Sequence, residues 1–451
     1  MSILKDEIEV SPTNSLNGYF PARTSGNDDA FDWEVAKGIV IRNLFRKNLT
    51  KEMIVKEDGA PSYAKFQQIC RNDFQDRLDE AELWSYLEDM YFSSDTFFDI
   101  APECLLFNIS TLTASSSKHR LGDLYSSLVQ DYYNEHPERL KRNFLEQQVV
   151  SSLRTSDVLA DYTGSRYSKK IDEKPFLPFL SKCFQRDIEF LSGHPAYLIR
   201  NLEGFLKLYG YLYTAQLALN IKGLPSEPES KPLYFIMENE IASLERTDLV
   251  RNGHQKVSEN VELLYPYLSM TETLYDAEKC GSRIPLWDLA SQLTESDCPS
   301  LKAYAVRFAE NRGLPLTMDH QENDPIACLS KLLDLSAMQF DKRYKGGGDR
   351  AAALGRFVKS TEVELCGTFV RARGRAGKIL VMNQDYLVLL TNLAIGENER
   401  LRLHELFDEF NARGVYFDKR SVQALIRFYE RVGNVERMSD SGDAVYVRKT
   451  I

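Results

Sequence analysis

Apolar residues recur at helical spacing along most of this chain, and the clearest succession of elements lies in its last seventy residues. Asn383 stands where it caps a helix through Asn392, which Gly396 closes. Leu403, Leu406, Phe407 and Phe410 give a second helix, Arg400 to Ala412, its buried side, with Gly414 just beyond as a left-handed stop. Asp418 caps a third helix. There Val422, Leu425, Ile426 and Tyr429 share one face at about 100° per residue, while Arg420, Ala424, Arg427 and Arg431 share the other. Two alternating β-prone runs follow, Val435 to Met438 and Ala444 to Arg448, joined by the turn-forming Ser439-Asp440-Ser441-Gly442-Asp443. Three helices and a hairpin in this order predict a winged helix-turn-helix over residues 381–451, with a core face and a cationic face on its third helix.

Upstream the pattern is almost entirely helical. Residues 1–29, rich in Ser, Asn and Gly with Pro12 and Pro21, predict an irregular lead-in. Val35, Ile39, Leu44 and Phe45 mark an amphipathic helix within Ala30 to Asn48, and Leu83, Leu87 and Met90 mark another from Glu80 to Phe92. The most apolar long run, Phe205 to Ile221, is interrupted by Lys207, Gln216 and Asn220, which predicts a buried core helix and no bilayer span. Three prolines between Gly223 and Pro232 exclude a regular helix there, and separate an N-terminal helical domain, 30–222, from a second one, 233–340. In the second, Cys298-Pro299 opens a helix that ends at Gly313, and Asp324-Pro325 opens one that runs to about Phe340 over Leu329, Leu332 and Leu333.

Residues 341–380 read as a separate basic segment. Lys345-Gly346-Gly347-Gly348-Asp349-Arg350 predicts a flexible break, followed by a short helical piece and two strands, Val363 to Val370 and Lys378 to Met382. Between the strands, Gly374 and Gly377 permit a tight turn that would hold Arg371, Arg373 and Arg375 at a hairpin tip. The expected fold class is mainly α: a multi-helical body with a C-terminal basic β-hairpin and a winged helix-turn-helix. No internal repeat at a solenoid period is visible.

Charge sharpens this division. The chain carries a net charge of −10, yet residues 341–380 hold ten basic against four acidic residues, a net of +6. Residues 381–451 are nearly balanced at −1, which leaves −15 for residues 1–340. A cationic block confined beside a winged helix, in an otherwise acidic protein, is the electrostatic footprint expected for a polyanion. Docking of the winged helix on protein alone is the alternative.

The chemistry that the sequence lacks narrows the function further. Seven widely scattered cysteines without a CxxC pair predict reduced core thiols in a cytoplasm, with neither a disulfide framework nor a zinc knuckle. Charged residues at Lys5, Asp6, Glu7 and Glu9 predict no export signal. Gly374-Arg375-Ala376-Gly377-Lys378-Ile379 is no phosphate loop, because position 372 is Ala and position 379 is Ile where a glycine and a magnesium-binding hydroxyl are needed. The six histidines are isolated from one another, so no metal site and no cofactor are expected. Asp172-Glu173-Lys174 and Asp276-Ala277-Glu278-Lys279 have the carboxylate-lysine ending of a restriction nuclease motif, though on no predicted strand. They keep an unrecognised metal-dependent nuclease open as an alternative.

The order of features resembles the DptG (DndG) family, the G subunit of the bacterial DNA phosphorothioation-dependent restriction system. The residues that carry the resemblance are the lead-in Phe20-Pro21-Ala22-Arg23-Thr24-Ser25-Gly26-Asn27 with Phe31-Asp32-Trp33, the hairpin Arg373-Gly374-Arg375-Ala376-Gly377-Lys378, and the ending with Ser439-Asp440-Ser441-Gly442-Asp443. The resemblance implies a cytoplasmic subunit of an anti-phage restriction complex that acts on unmodified DNA, with F and H subunits as partners that supply the nucleotide-driven machinery. It brings no catalytic residue. On this reading the chain is a non-catalytic adaptor or DNA-contacting subunit. The expected DNA contacts are Arg371, Arg373, Arg375 and Lys378 in the hairpin, Lys419, Arg420, Gln423, Arg427 and Arg431 on the third helix, and Arg437 and Arg448 in the wing.

Overall fold

Capping chemistry sets the starts of the helices. In the computed structural model, Asp32 accepts from the Val35 amide (3.1 Å) and opens α1 (Trp33–Phe45). After α2 (Ala64–Gln75), α3 (Glu82–Tyr91) and α4 (His119–Val129), α5 (Phe144–Thr155) begins with a reciprocal cap between Asn143 and Glu146. Prolines in the first turn open α6 (Pro178–Ser192) and α7 (Pro195–Asn220), where the missing amide costs nothing. α8 (His254–Leu274), α9 (Leu286–Gln292), α10 (Cys298–Arg312) and α11 (Pro325–Met338) follow. Gly313 ends α10 in the left-handed conformation, and Asp324 caps α11, as their sequence signals predict. The remaining long helices are α12 (Gly347–Ser360), α13 (Gln384–Ile395), α14 (Leu403–Ala412) and α15 (Lys419–Val432). The structure describes residues 2–14, 16, 20–22, 31–54, 62–75, 82–93, 96–110, 117–129, 142–162, 172–243, 245–246, 249, 252–316, 322–438 and 444–451.

The protein is mainly helical and is built around α7. From Phe205 to Leu219 this helix is buried at almost every position, so the polar Thr214 and Gln216 find partners inside. Gln216 accepts from the Lys231 amide (2.9 Å) and donates to the Lys231 carbonyl (2.7 Å). Tyr125 of α4 donates to the Leu206 carbonyl (2.6 Å) across Gly210, the one residue type that lets the phenol approach so closely. Among the described residues no helix is long and apolar enough to cross a membrane. One hydrophobic cluster runs from Leu4 to Val447.

Small sheets tie distant segments together. β1 (Lys47–Leu49) pairs with β2 (Leu159–Asp161), and β3 (Asp172–Glu173) pairs in parallel with β5 (Ser282–Arg283). β4 (Leu233–Met237) is one of the two inner strands of a four-stranded sheet of order β6-β7-β4-β9. Its neighbours β7 (Lys378–Met382) and β9 (Val415–Phe417) both run parallel to it, and β6 (Val370–Ala372) runs antiparallel to β7. In the last sheet, β8 (Arg400–Arg402) pairs with β11 (Ala444–Arg448), which pairs with β10 (Val435–Met438).

Several sequence expectations are corrected here. Val363 to Val370 is mostly no strand: α12 continues through a π-helical turn, Thr361–Cys366, and only Val370 joins the sheet. Alternation would put Val363 and Leu365 on one face, but Val363 is exposed while Leu365 packs into the core beside Gly210. The glycine run is no flexible break, since Gly346 caps α12 in the left-handed region and Gly347 is buried against the Asp341 carbonyl. Arg400–Arg402 is a strand before the second C-terminal helix and not its first turn. On α3, Leu83 and Met90 are exposed and Trp84 is buried instead. Within the irregular lead-in, Leu4, Ile8, Phe20 and Ala22 are core residues. Residues 23–27 and 439–443, which carry part of the family resemblance, lie outside the described residues.

Candidate nucleic-acid interface

The C-terminal elements follow the order helix, strand, helix, strand, helix, strand, strand, with α13, β8, α14, β9, α15, β10 and β11, so that a strand of the four-stranded sheet stands between the second and third helices. Asn383 and Asp418 cap α13 and α15 as their positions in the sequence predict, by accepting from the Tyr386 and Ser421 amides (both 2.9 Å). Gly433 closes α15 in the left-handed region. The helix is strongly two-faced. Ser421, Leu425, Phe428 and Tyr429 are buried, whereas Lys419, Arg420, Gln423, Arg427 and Arg431 are exposed.

The sequence did not single out the group that holds this helix in place. Arg246 is buried beside the start of α15 and donates to both Asp418 carboxylate oxygens (2.7 and 2.5 Å) and to Ser421 Oγ (2.7 Å). Glu240 closes the network, 3.1 Å from Arg246 and 2.8 Å from Ser421 Oγ. Burial works against the Asp418 carboxylate, but the Arg246 guanidinium outweighs it and holds the Asp418 pKa below the usual carboxylate range. Nothing in the periodicity of residues 238–246 marks Arg246. Only the fold brings it 172 residues along the chain to Asp418.

The basic hairpin rises from the same sheet. Gly374 and Gly377 take the positive φ values that its turn requires, and Arg371 pairs with Ile379 and Ala372 with Lys378. Two interstrand spacings, about 10 Å, separate β7 from β9, and β9 leads directly into α15. The segment after β4 touches both features: Arg373 donates to the Glu238 carbonyl (2.9 Å), while Glu240 and Arg246 hold the first turn of α15.

The eleven candidate contacts fall into two classes. Most hairpin and wing cations are engaged inside the protein. Arg371 donates to the Gly367 and Val370 carbonyls (2.6 and 2.9 Å), and Lys378 pairs with Glu362 (3.3 Å). Arg437 pairs with Glu430, and Arg448 and Arg400 converge on Glu436. Arg431 lies over the Phe428 ring, 5.8 Å from its centre. By contrast, Arg375, Lys419, Arg420 and Arg427 are exposed and have no ion-pair partner among the described residues. The sequence also missed Arg400 and Arg402, which β8 brings beside β11, where both guanidinium groups approach the Tyr446 ring at 4.8 and 5.8 Å.

At the base of the hairpin, Glu362 accepts from Ser258 (2.8 Å) and lies 3.9 Å from the buried His254. Burial pushes the His254 pKa down to about 4, against the pull of Glu362, so the imidazole is neutral near pH 7. The carboxylate-lysine runs have structural duties. Asp172–Glu173 does form a strand, contrary to expectation, and Lys174 pairs with Asp288 (2.8 Å). Asp276 caps a helical turn by accepting from the Glu278 and Lys279 amides (3.0 and 3.4 Å), and Lys279 pairs with Asp6 (2.6 Å). Among the described residues no group of three or more His, Cys, Asp or Glu is placed to hold a metal ion. No protein-family model matches the chain, and no curated protein matches it.

Proposed function

We propose that this chain is a non-catalytic, DNA-contacting adaptor of a phosphorothioation-dependent restriction complex, cytoplasmic and partnered by F and H subunits. The observation that carries the DNA contact is the outer face of α15. Lys419, Arg420 and Arg427 stand there without an acidic partner among the described residues, in a protein of net charge −10. Cations left unpaired in an acidic chain favour a polyanion, because each phosphate that they neutralise releases a condensed counterion. The basic hairpin, which touches Glu238 while Arg246 holds the start of α15, supplies Arg375 as a further cation without an ion-pair partner among the described residues. The place in a restriction complex rests on the resemblance in the sequence.

Docking on protein alone is favoured by one observation, the neutralisation of the wing arginines by Glu430 and Glu436. Fluorescence anisotropy of the full chain on short DNA duplexes at several salt concentrations separates the two readings. Binding to DNA is expected to weaken steeply with salt for every sequence. Lys419→Ala with Arg427→Ala is expected to reduce the log–log slope by about 0.9 for each phosphate that is no longer neutralised. Absence of salt-dependent binding, or a slope that the substitutions leave unchanged, would assign the winged-helix face to a protein partner.

A further inference from the structure

The end of α6, the junction of α13 with β8 and the outer side of α14 line a half-open cavity of about 640 Å³ to which no residue of α15 contributes. Its floor is apolar, with Phe190, Leu393 and Ile395 buried and Leu401 half-buried. Its rim is acidic. Glu189, Glu397 and Asp408 are exposed around it without an ion-pair partner among the described residues, and its one basic residue, Arg186, is already paired with Glu409. The last carbonyls of α13 end in the same place and add the negative end of the helix dipole. One ammonium group already uses this chemistry: Lys449 donates to the Gly396 carbonyl (2.9 Å) and lies 5.4 Å from the centre of the Phe190 ring.

We propose that this cavity docks a basic, amphipathic peptide segment of a partner protein. Like-charged carboxylates crowded over an apolar floor repel one another until a cation sits among them, and the sign of the field excludes nucleic acid. The volume lies in the range of roughly 300–1,000 Å³ typical of ligand sites, and a single guanidinium does not fill it. An arginine or lysine takes the carboxylates, and an aliphatic neighbour in the same segment covers Leu401 and Ile395. The inference goes beyond the DNA reading and concerns a different surface, so either can fail alone.

The test uses the full chain and a fluorescein-labelled peptide, Gly-Arg-Leu-Gly-Arg-Leu-Gly, with its Arg-to-Glu counterpart as control. The basic peptide is expected to bind and the acidic one to fail. Glu397→Gln with Asp408→Asn is expected to weaken binding about tenfold, as is Glu189→Gln with Asp408→Asn, whereas Glu310→Gln leaves it unchanged. DNA binding by both double variants should match the parent chain, which separates the cavity from the α15 face. Peptide binding that is indifferent to the rim substitutions overturns the proposal. So does self-association of the chain that those substitutions abolish, because the occupant is then the basic hairpin of a second copy.

Discussion

Arg413 and Asp187 form a fully buried, two-pronged ion pair, with Arg413 Nε and Nη2 at 2.9 and 2.5 Å from the carboxylate oxygens, although 226 residues separate them in the chain. Tyr209 donates to the same carboxylate (2.5 Å), and Arg413 also donates to the Glu409 carbonyl (2.6 Å). Burial alone would lower the Arg413 pKa, but the Asp187 carboxylate outweighs it and raises it well above the ordinary value. Arg413 lies between α14 and β9, and Asp187 lies on α6. The pair therefore fixes the end of α14 to α6 and so to the body.

Breaking this pair from one side leaves a charge buried without its partner, which costs about 3–5 kcal/mol. Arg413→Ala and Asp187→Ala should each destabilise the chain by that order, and the double variant should cost less than the two single effects added together. Denaturant unfolding of the full chain reads all three. Single effects below about 1 kcal/mol would show that the pair does not fix the two elements together.

What the sequence made legible here is what local chemistry decides. Asp418, Asn383 and Gly396 are local signals, and each is found where it was expected. On the core face of α15, Leu425 and Tyr429 are buried as expected, Val422 and Ile426 are only half-buried, and Phe428 is buried in addition. The three strands of the β10-β11-β8 sheet were legible only in part, because β8 looks like the first turn of a helix until β11 pairs with it. Arg246, Arg413 and Glu362 were not legible at all, since their partners lie 172, 226 and 104 residues away and no periodicity records a contact at that range. The same holds for the wing charges. Composition counts Arg437 and Arg448 as cations, while the hairpin geometry sets each against a glutamate.

Two buried titratable groups should pull stability in opposite directions with pH. Burial pushes the Asp123 carboxyl up to about 7, against the pull of Arg42, Arg120 and Arg283, so between about pH 4 and 7 the folded state keeps a proton that the unfolded chain releases. That contribution is lost as pH rises through the window. His254, held down to about 4, refuses a proton that the unfolded chain binds, so its contribution is lost as pH falls from about 6.5 to 4. Displacements of this size correspond to roughly 3 to 4 kcal/mol each. Asp123→Asn should therefore gain stability relative to the parent as pH rises toward 7, and His254→Gln should gain it as pH falls toward 4. Equal pH profiles of denaturant midpoints for parent and variants would refute both assignments.

The four-stranded sheet makes the C-terminal quarter of the chain necessary to the body. β4 has β7 on one side and β9 on the other, and Leu233, Phe235 and Ile236 are fully buried between the layers. A chain ending at Phe340 loses both neighbours, leaves the backbone groups of β4 unpaired and uncovers the side of α7 against which Leu365 packs. Such a truncation is expected to aggregate or to lose cooperative unfolding. A monomeric, cooperatively folding 1–340 fragment, seen by sedimentation and thermal circular dichroism, would show that the sheet adds little.

The pairing of the wing arginines makes a gain of DNA binding possible. Glu430 holds Arg437, and Glu436 holds both Arg400 and Arg448, so those cations sit beside the α15 face with their charge already offset. Partly exposed pairs of this kind contribute about 0.2–1 kcal/mol to folding, so their removal should leave the fold intact. Glu430→Gln with Glu436→Gln should tighten DNA binding at low salt and steepen the log–log salt slope by about 0.9 for each arginine that then reaches a phosphate. Glu295→Gln with Glu310→Gln removes the same charge from other helical segments of the body and controls for net charge alone. If both double variants tighten binding equally, the wing does not lie against the duplex, and α15 alone carries whatever contact the full chain makes.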